Sequence, residues 1–106
     1  MAWIYLFIAG LFEIAWAVGL KYTDGFSRFW PSAWTIVTSI ASILFLAQAL
    51  KTIPLGTGYA VWTGIGAVGT ALFGMLLFDE SRDPFRLACI LVIVAGIAGL
   101  RFSALE

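Results

Sequence analysis

The sequence predicts an all-α membrane protein built from four transmembrane helices, and two observations carry that prediction. First, 62% of its 106 residues are hydrophobic and only 11% are charged. A water-soluble domain of this size exposes more surface than it buries, and so few charges cannot cover it. Second, the apolar residues fall into four long runs separated by short polar stretches, with no room left for a soluble domain. The expected spans are 2–20, 31–50, 55–78 and 85–104, forming one transmembrane domain over residues 1–106.

The first run, Ala2 to Leu20, is apolar apart from Glu13. At about 1.5 Å per residue it matches a hydrocarbon core of roughly 30 Å. Ala15-Trp16-Ala17 superficially fits a signal-cleavage site, but no positive region precedes the run, so it is expected to be a retained span. Lys21, Tyr22, Asp24, Gly25 and Arg28 then form a polar turn closed by Pro31. The second run, Trp34 to Leu50, is lengthened by Trp30 and Ala33; Lys51 and Pro54 mark a short connection. Pro54 suits the first turn of a helix, where its missing N–H loses nothing. The third run, Leu55 to Phe78, is rich in glycine, and Asp79, Glu80, Arg82, Asp83 and Pro84 follow as a dense charged loop. The fourth run, Leu87 to Leu100 between Arg86 and Arg101, is short for a crossing. Snorkelling arginines and the flanking Phe85 and Phe102 extend it to a full span. Trp3, Tyr5, Tyr22, Trp30 and Trp34 lie near the expected interfaces, as an aromatic belt does.

Composition also excludes chemistry. Six basic and six acidic residues balance to zero net charge, with no basic run for nucleic acid to bind. There is no histidine, and the single Cys89 has neither a disulfide partner nor a second metal ligand. No metal, cofactor or enzymatic site is expected, and Cys89 reads as a packing residue. An even number of spans puts both termini on one side. Lys51, Arg101 and the terminal amine then face Lys21, Arg28, Arg82 and Arg86 across the membrane, a weak positive-inside bias compatible with insertion in either orientation and equally with an inward preference for the side of those four.

Glu13 is the sharpest feature. An ionised carboxylate near mid-span costs several kcal/mol without a partner, and no lysine or arginine lies inside any of the four apolar runs. Such a group suits exchange, protonated when empty and ionised when a cation occupies the site; the bland reading is a permanently protonated acid bonded to a neighbouring helix. Trp16 follows at i+3, and Ala9, Gly10 and Ala17 share that face. The small residues leave a cavity, and the indole offers an N–H donor and an aromatic face to a cation. In the second span Thr35, Ser39 and Ser42 form a polar stripe, with Ser42 at a depth from which it could donate to Glu13. In the third, Tyr59 and Trp62 stand at i, i+3, followed by Gly66, Gly69 and Phe73. Gly64, Gly66 and Gly69 permit close helix approach or a bend. Nothing about this stretch fits a phosphate loop, since it lies inside an apolar run without the required lysine. Ala95 and Gly99 make a small-xxx-small pair suited to a seam.

Taken together, Phe12-Glu13-x-x-Trp16-Ala17, Leu20-Lys21-Tyr22, Gly25-Phe26-x-Arg28, Ile53-Pro54-x-Gly56 and Tyr59-Ala60-x-Trp62-x-Gly64-x-Gly66 resemble the small multidrug resistance family of bacterial exporters over essentially the full length. Trp16 and the Trp62–Ala67 stretch resemble its guanidinium-exporter branch, since the drug-exporting branch usually has a small residue at the position of Trp16. The resemblance implies an antiparallel, dual-topology homodimer in the inner membrane that exchanges protons for guanidinium-type small cations, surrounded by lipid. It implies that paired Glu13 carboxylates bind cation or proton, with Trp16, Ser42, Tyr59 and Trp62 completing a polar network. Three other readings are weighed beside it: an exporter of quaternary ammonium and other lipophilic cations, a small dual-topology ion channel, and a subunit requiring a paralogous partner. A larger cavity would mark the first, conductance without proton coupling the second, and inactivity of the chain alone the third.

Overall fold

The structure, a computed structural model, describes residues 1–103 as four α-helices: α1 Ala2–Tyr22, α2 Phe29–Ala49, α3 Leu55–Leu77 and α4 Pro84–Ser103. Each is long and apolar enough to cross a membrane. Residue 104, set from sequence as the last of the fourth span, lies outside the described residues.

The helix ends follow local chemistry. At the close of α1, Thr23 is buried; its hydroxyl donates to the Leu20 carbonyl at 2.7 Å and accepts from the Phe26 N–H at 3.1 Å. Asp24, Gly25 and Phe26 then take positive φ in succession (49°, 70° and 66°), which reverses the chain. Gly25 enters that conformation freely, whereas the other two are held by the hydrogen bonds of Thr23. α2 begins at Phe29, ahead of Pro31, because the proline falls within the first turn, where backbone N–H groups have no intrahelical partner. Pro54 stands at the N-cap of α3 with extended backbone (ψ 143°) rather than within the first turn, and its carbonyl accepts from the Gly58 N–H at 2.9 Å. After α3, Asp79 takes φ 54°, and Arg82 folds back to donate to the Met75 carbonyl at 3.2 Å, occupying an acceptor the helix end leaves free. α4 starts at Pro84, so the short apolar run is carried by a full-length helix.

α1 lies at the centre, packed on α2 and α3; α4 packs on α3. α1 and α3 run parallel and approach closely where one side lacks a side chain. A β-carbon at Gly10 would lie 2.8 Å from Ile65 Cβ, and one at Gly69 would lie 2.5 Å from Ile14 Cγ1. Leu6, Ala9, Leu46, Ala49, Ile53 and Val61 form a core at one end, with Trp3, Tyr5, Phe45 and Trp62 packed against it. Trp3 and Tyr5 therefore serve that core, with Arg101 stacked 4.7 Å above the Trp3 ring, whereas Tyr22, Trp30 and Trp34 are exposed. The assembly is a slab, 46 × 35 × 17 Å. No residue of α4 is buried, Cys89 is exposed rather than packed, and β-carbons built at Gly96 and Gly99 would meet nothing within 4 Å.

Candidate functional site

The site is assembled where α1, α2 and α3 meet at mid-depth. Glu13 stands on α1 with its carboxylate against Gly66 of α3, at a distance only glycine permits: a β-carbon there would overlap the carboxyl group. Its Oε2 is shielded from solvent and has no hydrogen-bond partner among the described residues. A buried polar atom normally has one, and leaving it unmet costs about 1–3 kcal/mol.

One turn before Glu13, the α1 backbone is tied to the other two helices. Ser42, fully buried on α2, donates to the Ala9 carbonyl at 2.7 Å and accepts from the Trp62 indole N–H at 2.9 Å. In an α-helix the Ala9 carbonyl is also the acceptor for the Glu13 N–H. A chain of hydrogen bonds thus runs from α3 through α2 to the turn that carries Glu13. It fixes the position of the Glu13 backbone while leaving the carboxylate free.

Ser42 therefore does not donate to Glu13, as its depth had suggested. Depth sets how far along the helix a residue lies, but the direction of its hydroxyl is decided by which neighbour comes within reach, and here Ala9 does. The polar stripe also differs from the expected one. Thr35, Thr38 and Ser42 are the buried hydroxyls of α2, while Ser39 turns away and donates to the Ile36 carbonyl at 2.9 Å. Thr35 and Thr38 satisfy themselves within α2, donating to the carbonyls of Pro31 (2.9 Å) and Trp34 (2.7 Å). Both Thr38 and Ser39 lie at helical spacing from Thr35, so spacing alone does not choose between them.

Tyr59 lies beside Trp62, with ring centroids 5.3 Å apart and planes at 59°. It is 54% exposed. Trp16, half-buried, sits on α1 one turn beyond Glu13. Of the three glycines, Gly66 admits the carboxylate, Gly69 admits Ile14, and Gly64 admits Ile97 of α4. α3 remains α-helical through all three.

Comparison with known proteins gives concordant results. The profile of the family described as Small Multidrug Resistance protein matches residues 1–93. The chain is 58% identical to the guanidinium exporter of Escherichia coli (strain K12) over 103 residues, covering 97% of this chain and 98% of that one. It is 59% identical to the guanidinium exporter of Salmonella typhimurium over 104 residues, covering 98% and 99%. The guanidinium exporter of Citrobacter freundii is 58% identical over 103 residues.

Proposed function

The chain belongs to the small multidrug resistance family, and from that premise we propose that it exports guanidinium and small guanidinyl cations in exchange for protons, working as an antiparallel dual-topology homodimer. It is a multi-pass protein of the bacterial inner membrane. The observation that carries the proposal is the Glu13 Oε2, shielded and unpartnered, with the basic side chains of α1 and α4 confined to the helix ends.

Guanidinium is planar and presents paired N–H donors that match a carboxylate in two parallel hydrogen bonds. It binds the ionised form of Glu13 and is refused by the protonated one, while a proton does the reverse. Each ligand displaces the other, and export follows if the dimer changes its facing only when one of them is bound. Trp62 and Tyr59 offer aromatic faces to the cation, and Trp16 narrows the space around it. Bulk at Trp16 favours a small planar cation over a large lipophilic one. The Ser42 chain of hydrogen bonds holds the backbone of the Glu13 turn in one place for each ligand, while the carboxylate itself is free to engage either.

A second copy supplies what one slab 17 Å thick lacks, namely walls around a path. The outward face of α4, with its small residues, is the surface for that copy. Opposite insertion relates the two by a pseudo-two-fold axis in the membrane plane, which makes the inward- and outward-facing forms near equivalents. The two Glu13 carboxylates then titrate as a pair.

The test is Glu13→Gln in proteoliposomes. The variant is expected to assemble as the wild type does and to lose guanidinium-driven proton movement. Retained coupled transport in the variant would remove Glu13 from the mechanism. A quaternary ammonium cation run in parallel separates the drug-exporter reading, and current without any substrate separates a channel.

A further inference from the structure

One more buried polar atom in the spans is unaccounted for. Among the described residues, two buried side-chain oxygens have no hydrogen-bond partner: Glu13 Oε2 and Thr70 Oγ1. Thr70 is on α3, at i+4 from Gly66, the residue against which the Glu13 carboxylate lies. Positions four apart on a helix share a face and stand roughly 6 Å apart. α1 and α3 run parallel here, with Gly66 facing Glu13 and Gly69 facing Ile14. The face of α1 that meets α3 at Gly10, Glu13 and Ile14 continues at Ala17 rather than at Trp16, and alanine is too small to separate a carboxylate from Thr70.

The behaviour of the other hydroxyls makes Thr70 unusual. Thr23, Thr35, Thr38 and Ser42 are all buried, and each donates to a backbone carbonyl. Back-bonding to the preceding turn is the default for a threonine inside a helix, and Thr70 does not take it. Its hydroxyl is therefore a donor and an acceptor held in reserve, on the side of α3 where the carboxylate lies.

We infer that Thr70 is a positioning residue for Glu13: its hydroxyl donates to the ionised carboxylate, directly after a side-chain rotation or through one water, in the cation-binding form of the transporter. A hydroxyl-to-carboxylate bond is charge-assisted and favours the ionised form. Thr70 thereby biases the contest between guanidinium and proton toward the cation. The charged groups around Thr70 are Glu13 and Lys21 on α1, Lys51 beyond the end of α2, Glu80, whose carboxylate lies against Gly74 one turn further along α3, Arg82 on the Met75 carbonyl, and Arg86 and Arg101 at the ends of α4, together with a second Glu13 in the dimer. Of the two carboxylates that lie against this face of α3, Glu80 is paired with Arg86 at 2.8 Å, and Glu13 is the one whose Oε2 lacks a partner.

The inference rests on the exchange proposed above and is tested separately from it. Guanidinium chloride is titrated into the full-length wild type, Thr70→Val and Thr70→Ser, each in proteoliposomes, from pH 6 to 9. Valine keeps the shape of threonine and removes the hydroxyl; serine keeps the hydroxyl. Thr70→Val is expected to weaken apparent guanidinium affinity roughly threefold to tenfold at the acid end, the range of one hydrogen bond, and little at pH 9, where protons no longer compete. Thr70→Ser is expected to follow the wild type. A Thr70→Val profile superimposable on the wild type overturns the inference, as does an equal change in both variants, which would trace the effect to packing. If the wild type itself fails to bind guanidinium, it is the proposed function that falls, irrespective of Thr70.

Discussion

Replacing Gly66 by alanine separates folding from ligand binding in a way the local geometry lets one calculate. A β-carbon at this position would sit 2.5 Å from the Glu13 carboxyl carbon. Carbon atoms in contact settle at about 3.5–4.0 Å, so the carboxyl group must retreat by about 1 Å. It is the far end of a flexible side chain, and the retreat needs only a departure from its preferred rotamer, about 0.5–1.5 kcal/mol. That corresponds to roughly a twofold to tenfold weaker apparent guanidinium affinity, with helix packing preserved. Gly10→Ala is the control. There the new carbon meets Ile65 at its β-carbon, 2.8 Å away, where a branched side chain has no freedom to yield. The helices must separate, and overpacking costs about 1–3 kcal/mol of stability. Thermal unfolding of the purified variants, with guanidinium titration of each, is the assay. The reasoning is refuted if Gly66→Ala binds as the wild type does, or if it is destabilised as much as Gly10→Ala.

Two further outcomes are expected. Ser42→Ala removes the acceptor of the Trp62 N–H and the donor to Ala9, and leaves the indole N–H unmet at a loss of about 1–3 kcal/mol; the variant should lose thermal stability and bind guanidinium more weakly, and unchanged values in both would remove Ser42 from the network. A cysteine appended after the C-terminus should be labelled by impermeant reagents from both sides of the membrane, and labelling from one side alone would reject dual topology.

Much of this architecture was legible in the chain. Four apolar runs become four helices because a bilayer accepts little else, every backbone polar group needing an internal partner. The fourth run is short by itself, and Phe85 and Phe102 lie inside the helix that carries it. Glu13 stood out because hydrocarbon penalises its charge, whatever surrounds it. The partners of the polar side chains were harder to read. Helical spacing places Ser42 at the depth of Glu13, yet its hydrogen bonds go to Ala9 and Trp62, a choice made by how α2 rotates against α1. The same rotation buries Thr38 in place of Ser39. The turn after α1 hid its organiser, since Thr23 is an ordinary residue until three positive-φ residues follow it. Gly66 was noticed for packing, but its partner is the carboxylate itself, and a glycine-rich helix carries no sign of which glycine receives which side chain. Thr70 escaped notice because a lone threonine in a span is usually satisfied by its own helix.

The most direct measurement is of the hydrogen ions set free when guanidinium is added to the purified protein in weak buffer near neutral pH. Acidification by the wild type and none by Glu13→Gln is the predicted result. A wild type that takes up the cation with no change in pH, or two proteins that acidify alike, would contradict the idea that one carboxylate serves both ligands in turn.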